Sequence, residues 1–324
     1  MDTKKLVVGI DIGGTNTKFG MVDRLGNIYV EENISTPFYS DFDDYINALK
    51  DVLIKLEASV EGAEIIGIGI GAPNGNHKTK EIAFAPNLPW KGILPIVAKL
   101  QKFFPDTCIV LDNDANAAAI GEMVYGGAAK MRDFLFVTLG TGLGSGFVAN
   151  GEMIYGNDGL AGELGHVIVE KNGRKCNCGR CGCLETYSSA TGIKRTVSEL
   201  LATGTEDSIF RHKSFDGFEA KDIAEAAQSG DKIAEKAFQM AGEILGLALA
   251  NAVAITVPEA IFLFGGLAKS GDLILKPTIA SFEENILKIW KGKIKIRQSE
   301  LQNKDVSILG SASLAWNYIN KGSL

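Results

Sequence analysis

The 324-residue sequence contains no basic block: its 33 lysines and arginines are outnumbered by 39 aspartates and glutamates, leaving a net charge of −6. Without a cationic stripe to meet phosphates, a nucleic-acid partner is not expected. A membrane is not expected either. The start, MDTKKLVVGIDIGG, has too short an apolar run for a signal peptide, and the longest apolar helix candidate, around Leu245 to Val257, is too short and too interrupted to span a bilayer. These absences make a soluble cytoplasmic protein the expectation. Two phosphate motifs are missing as well. There is no G-x-x-x-x-G-K-[ST] and no G-x-G-x-x-G that leads into a helix, which excludes the P-loop and the Rossmann fingerprint. No low-complexity linker interrupts the chain.

What remains is ordinary globular material, 46% hydrophobic and 22% charged, in a chain long enough for two domains. LVVGIDI reads as a buried strand, followed by strands TKFGMVD and NIYVEENI around a turn at Leu25, Gly26 and Asn27. Asp41 to Ala58 has helical spacing, with Phe42, Tyr45, Ile46, Leu49, Val52, Leu53 and Leu56 on one stripe. EIIGIGIGAP and CIVLDND are further strands, separated by a short helix near Ile93 to Phe103. This alternation predicts an α/β sheet flanked by helices. The opening theme then returns: DFLFVTLGTGLGSGFVANGEMIY repeats the strand, glycine turn, strand order of KLVVGIDIGGTNTKFGMVDRLGNIY, which suggests an internal duplication. Helices are expected over Thr191 to Leu201, Ala220 to Ala227 and Asp231 to Ala254. VSILGSASLAWNYI reads as a strand-to-helix piece returning to the first domain. The expected division is residues 1–114 with about 305–324 as a small α/β domain, and 115–304 as a large one.

Three glycine turns close strands: Gly13-Gly14-Thr15, Gly140-Thr141-Gly142-Leu143-Gly144 and Gly265-Gly266. Glycine alone would indicate hairpins. Asp11 at the end of a buried strand changes that reading, because a buried carboxylate needs a partner, and a cation beside phosphates would supply one. A second polar cluster, Asp112, Asn113, Asp114 and Asn116, follows another buried strand. One such residue suffices to cap a helix; four point to an acid–base site. The third concentration is sulfur. Cys176, Cys178, Cys181 and Cys183 fall within eight positions, ten residues after His166. Cys178-Gly-Arg-Cys181 is formally C-x-x-C, but no thioredoxin-like βαβ context surrounds it, so zinc is the better reading. Five soft ligands are one more than a tetrahedral zinc takes.

Asp11-Ile-Gly-Gly-Thr-Asn-Thr-Lys18 resembles the first phosphate motif of the hexokinase–actin–heat-shock ATPase superfamily, and more narrowly that of the ROK sugar kinases, whose motifs recur in order along nearly the whole chain. The resemblance implies a two-domain actin-like ATPase fold, a ribonuclease H-like core duplicated around a central cleft, and an ATP-dependent hexose kinase acting on the 6-hydroxyl of a sugar, glucose first. It implies Asp114 as general base and Asn113 as a hydroxyl ligand. Further sugar contacts would come from Gly71, Ala72, Asn87, Glu163, His166 and Glu185. The nucleotide and its Mg²⁺ would be held by Asp11, Gly13, Gly14, Thr15, Asn16 and Lys18, by Gly140, Thr141, Gly142 and Gly144, and by Gly265 and Gly266. The family's zinc pattern maps onto His166, Cys176, Cys178 and Cys183, with Cys181 left over; an all-cysteine site is the alternative. GAPNG departs from the commoner Gly-Pro-Gly, leaving Asn74 without an assigned role, and Trp90 reads as packing. A homodimer is also implied. N-acetylmannosamine, N-acetylglucosamine, mannose or fructose are alternative substrates. A sugar-responsive regulator is the alternative of another class; only ten residues precede Asp11, fewer than a helix-turn-helix requires.

Overall fold

An apolar run behind two lysines makes the first strand, β1 (Lys4–Ile12), with both lysines exposed and Leu6 to Ile10 buried. The computed structural model describes residues 3–302 and 304–321. Along the chain β1 is followed by β2 (Asn16–Val22), β3 (Ile28–Ser35), α1 (Phe42–Ser59), β4 (Ala63–Gly71), the short strands β5 (Gly75–Asn76), β6 (Glu81–Ala83) and β7 (Ile93–Leu94), then α2 (Ile96–Leu100), β8 (Cys108–Asp112) and α3 (Asp114–Tyr125). The second part contains β9 (Phe134–Leu139), β10 (Leu143–Ala149), β11 (Glu152–Met153), α4 (Ala190–Thr203), α5 (Ala220–Gln228), α6 (Lys232–Thr256), β12 (Ala260–Phe264), α7 (Asp272–Asn285), β13 (Lys295–Gln298) and α8 (Val306–Lys321).

The duplication is visible in the sheets. One has the order β3-β2-β1-β4-β8 and the other β11-β10-β9-β12-β13. In each, an antiparallel hairpin (β1 with β2, β9 with β10) continues into two parallel strands. The chain packs as two compact units: residues 1–130, 153–161 and 303–324 in one, 131–152 and 162–302 in the other. This differs from the boundary expected near Asp114. α3 stays in the first unit because it lies along α8, where a Cβ on Gly310 would come 2.9 Å from the Ala117 carbonyl. Residues 153–161 join it through hydrogen bonds described below.

In the first unit the core is built by β1, β4, β8 and the α1 stripe, on which Tyr45, Ile46, Leu49, Leu53 and Leu56 are buried. Asp41 caps α1 by accepting from the amides of Asp43 and Asp44. Trp90 is packing, as expected: it is buried against Tyr45, with ring centroids 4.3 Å apart, and its indole N–H donates to the Tyr39 carbonyl. On the other face of the sheet α8 approaches the backbone itself, since a Cβ on Gly69 would come 1.8 Å from the Ser311 carbonyl and one on Gly9 2.3 Å from that of Ile308. The expectation of a strand at the start of this segment is corrected: VSILGSASLAWNYI is helical throughout. Asp305 caps it by accepting from Ser307 N, and Ile308, Leu309, Ala312, Ala315 and Trp316 are buried with helical spacing.

The second unit is built around α6. α6 runs 25 residues from an Asp231 cap, close to the expected Asp231 to Ala254, and the apolar stretch around Leu245 to Val257 is its C-terminal half. Among the described residues it is the one helix long and apolar enough to cross a membrane. Its apolar surface is used inside the unit: Ala237, Leu245, Leu249 and Val253 are fully or almost fully buried, and α7 approaches at Gly246, where a Cβ would meet the Thr278 carbonyl at 2.4 Å.

Candidate active site

In the first unit Asp11 pairs across the hairpin with Lys18, one residue pair before the turn. Gly13 N donates to the Asn16 carbonyl at 3.0 Å, and the Thr15 carbonyl accepts from Thr36 N. The turn leaves Thr15 and Asn16 exposed. Gly14 lies against Asn87, whose carbonyl would be 2.5 Å from a Cβ there. Burial pushes the Asp11 carboxyl up to about 6, and the neighbouring charge of Asp114 adds to the rise. The Ser307 side chain and the charge of Lys18 offset it only in part. The Lys18 ammonium pairs with Asp305 at 3.0 Å, at the start of α8. Sequence reasoning missed Asp305, although Asp, Ser and an apolar run in Asp305-Val-Ser-Ile carry a helix-start signature.

The end of β8 delivers Asp112, Asn113 and Asp114 to the start of α3. Asn113 is the cap, its Oδ1 accepting from Asn116 N at 2.8 Å. Asp114 is exposed, and its Oδ1 accepts from Ala115 N at 2.8 Å. The protein packed around it still withdraws enough water to raise its carboxyl above the usual range, against that hydrogen bond. Gly71 lies beside it, with a Cβ site 3.9 Å from the Asp114 Cα, and Ala72 N donates to the Asp112 carbonyl. Asn87 is exposed. Asn74 has a left-handed backbone, φ 54°, and its amide donates to the carbonyls of Ala83 and Phe84, which makes it a loop brace. Sequence reasoning also missed Tyr155, whose hydroxyl donates to Asp112 Oδ2 at 2.6 Å, and His77, whose ring stacks on Tyr155. No local pattern in the sequence joins positions 77, 112 and 155.

The second unit gathers the remaining residues. The turn Gly140 to Gly142 is closed by Gly140 N donating to the Gly142 carbonyl, and Ala190 N donates to the Gly140 carbonyl. Gly265 has φ 103° and its Cβ site is 2.7 Å from the Leu139 carbonyl, so only glycine fits at this crossing; Gly266 beside it is open. Gly144 N donates to Thr138 Oγ1. Glu185 reaches the glycine turn, its Oε2 2.8 Å from the Cβ site of Gly142. Glu163 is exposed at the entry to a short 3₁₀ turn, Leu164–His166, which Ser145 fixes by accepting from Leu164 N.

His166, Cys176, Cys178 and Cys183 bring their ligand atoms within 4.8 Å of one another, while Cys181 is exposed and outside the group. The spacings suit one ion. Cys178 and Cys183 sulfurs are 3.6 Å apart, and His166 Nδ1 is 3.8 Å from Cys176 Sγ. Ligand atoms on a tetrahedral zinc stand about 3.5–3.8 Å from each other. Cys178 is the thiol most ready to ionise: the Arg180 amide, and then its side chain, lower it to about 6. Burial raises Cys176, which donates to Glu185 Oε1 at 2.8 Å, and also Cys183. Arg174 anchors the loop: its guanidinium donates to the carbonyls of Thr186 and Gly192 and pairs with Glu199.

Two sheets of identical order, each opened by a glycine-turned hairpin, define the class as the duplicated α/β fold of actin-like ATPases. The chain belongs to the ROK family, which it matches over residues 7–317. It is 35% identical over 315 residues to the glucokinase of Halalkalibacterium halodurans, covering 95% of this chain and 94% of that protein. Among solved structures it is similar to a ROK family glucokinase from Streptomyces griseus in complex with glucose and AMPPNP, with TM-score 0.78 and 31% identity over 96% of this chain and 99% of that one. The ROK hexokinase of Thermus thermophilus gives TM-score 0.80 and 27% identity, covering 98% and 100%.

Proposed function

We propose that this chain is an ATP-dependent hexose kinase that transfers the γ-phosphoryl group to the 6-hydroxyl of glucose. The observation that carries the reading is the pair at the start of α3, where Asn113 is committed to the helix cap and Asp114 is exposed with its carboxyl raised. A carboxylate in that condition orients a hydroxyl and takes its proton as the phosphoryl group arrives. Asn113 retains its amide N–H groups for a sugar oxygen. Gly71, Ala72 and Asn87 in the first unit are further candidate sugar contacts; in the second unit Glu163, His166 and Glu185 are candidates by family resemblance.

Asp11 suits a hydrated Mg²⁺ on the nucleotide, because a divalent cation would relieve both its desolvation and its repulsion from Asp114. Gly13, Gly14, Thr15 and Asn16 would offer phosphate contacts, as would Gly140, Thr141, Gly142 and Gly144, with Gly265 and Gly266 toward the nucleoside. Lys18 joins them only by leaving Asp305. Zinc bound by the three cysteines and His166 would be structural: Nδ1 faces the sulfurs, and metal there fixes the tautomer that leaves Nε2 for a sugar hydroxyl. A cytoplasmic homodimer belongs to the same reading by family resemblance.

The test is coupled ADP release with glucose, mannose, fructose, N-acetylglucosamine and N-acetylmannosamine. Glucose is expected to give the highest kcat/KM, and Asp114→Asn to lower kcat by about 10²–10⁴-fold. Absence of turnover with every sugar would overturn the kinase reading.

A further inference from the structure

Asp112, one residue before the proposed hydroxyl ligand, is fully buried, and both its oxygens are engaged. Oδ1 accepts from Asn113 N at 2.8 Å and from the Asn116 side-chain amide at 2.9 Å. Oδ2 accepts from the Tyr155 hydroxyl at 2.6 Å. Asn116 in turn donates its backbone N–H to the Asn113 side chain, so one buried carboxylate fixes both the backbone and the cap of the turn that carries Asp114.

The donor on the far side is itself held. The Tyr155 ring lies parallel to His77, with centroids 4.4 Å apart and planes 6° from each other. His77 Nδ1 is 3.9 Å from Asp112 Oδ2, beyond hydrogen-bond reach, and has no hydrogen-bond partner. The segment around Tyr155 is tied to the β5 turn: the Asn76 amide donates to the Asp158 carbonyl at 2.7 Å, and Lys78 Nζ to those of Gly156 and Asn157 at 2.7 and 2.8 Å. Three residues, His77, Asn76 and Lys78, therefore secure a tyrosine whose hydroxyl serves a buried carboxylate. A helix start needs only its cap, which Asn113 already supplies.

We propose that Tyr155 is a positioning residue for phosphoryl transfer, acting through Asp112 to hold Asn113 and Asp114 in register with the sugar hydroxyl. This rests on the reading of Asp114 as the base. Misplacement of a reacting group by about 1 Å costs about 10²-fold in rate. Removing one of the bonds that set its place belongs at the lower end of that scale.

The test compares full-length Tyr155→Phe and Asp112→Asn with the unaltered chain in steady-state glucose phosphorylation, with circular dichroism and zinc content as checks of folding. Phenylalanine keeps the stack on His77 and removes the donor. It is expected to lower kcat about tenfold with the KM for ATP within about twofold. Asparagine at 112 keeps the acceptor for Asn113 N, and its amide can donate to the Tyr155 oxygen; kcat should stay within about threefold. A folded Tyr155→Phe with kcat within about twofold of the unaltered chain overturns the proposal. So does a larger loss in Asp112→Asn than in Tyr155→Phe, which would assign the effect to charge instead of position. Should the phenylalanine variant fail to fold, His77→Ala, which removes the ring stacked on Tyr155, is measured in its place: a fall in kcat of more than about twofold is expected, and an unchanged kcat overturns the proposal. Failure of the underlying reading is distinguishable, because Asp114→Asn would then retain full activity.

Discussion

The two glycine-turned hairpins occupy the same place in sheets of the same order, yet their ends carry different chemistry. In the first, Asp11 faces Lys18 across the strands; in the second, the corresponding pair is Thr138 and Gly144. The turns also differ in length, four residues between Ile12 and Thr17 against three between Leu139 and Leu143. Thr138 is satisfied internally, its hydroxyl accepting from Gly144 N at 3.1 Å, whereas Asp11 has a carboxyl raised to about 6 by burial and by Asp114. Duplication supplied two backbone cradles, but only one was given a carboxylate, whose burial Ser307 and Lys18 offset only in part. A neutral turn can receive phosphate oxygens through its amides; a turn with a strained carboxylate calls for a cation.

The sharpest way to break this comparison is to exchange the chemistry at the two ends. Asp11→Ala should lower kcat for glucose phosphorylation by about 10²-fold or more, the scale on which preorganised charge acts in transfer reactions. Thr138→Val removes only a satisfied hydroxyl and should cost less than about tenfold. Equal losses at both positions, measured in the same coupled assay, would mean that the two turns are functionally equivalent and that the charge on Asp11 is incidental.

The units differ again in what stabilises their polar loops. Among the described residues, the first unit holds its loops with Asn76, Lys78 and Tyr155, and the cluster of four potential metal ligands lies in the second. Cys183→Ser should bring zinc below one per chain by atomic absorption and raise the glucose KM about tenfold or more, since ligand shells orient what they touch. Cys181→Ser should leave zinc at one per chain with KM unchanged. Zinc loss in Cys181→Ser would restore the all-cysteine alternative and release His166 from the metal.

How much of this was legible in the sequence follows from where the information lies. β1, β2, α1 and the sulfur cluster were readable because their signals are local: alternating or helical burial, a glycine turn, ligands ten residues apart. α8 was misread at its start because Val306 and Ile308 are β-branched strand-formers by type, and the Asp305 cap and the glycines of β1 and β4 explain a helix there. The span of α6 was readable too, expected over Asp231 to Ala254 and found over Lys232–Thr256, because an Asp cap and helical spacing are local signals. The Tyr155–Asp112 bond was invisible altogether. It joins residues 43 positions apart, and neither belongs to a motif that predicts the other.

The smallest effect concerns stability, and it tests whether Asp11 is held at a cost. Its folded pKa of about 6 lies above the usual carboxylate value of 3.8. The folded state therefore binds this proton more tightly than the unfolded chain does. The stabilisation is present below about pH 4 and is lost as pH rises through about 6. Asparagine mimics the protonated form. In the metal- and nucleotide-free protein, Asp11→Asn should melt with the unaltered chain near pH 4 and higher than it at pH 7.5. The difference should be about 2–4 °C, corresponding to roughly 1 kcal/mol once the solvent reaching the carboxyl is allowed for. Added Mg²⁺–nucleotide should reverse the order by stabilising only the aspartate form. Thr138→Val, carrying no titrating group, should show no such dependence on pH. A pH-independent difference for Asp11→Asn would show that the two strand ends differ in function without differing in electrostatic strain.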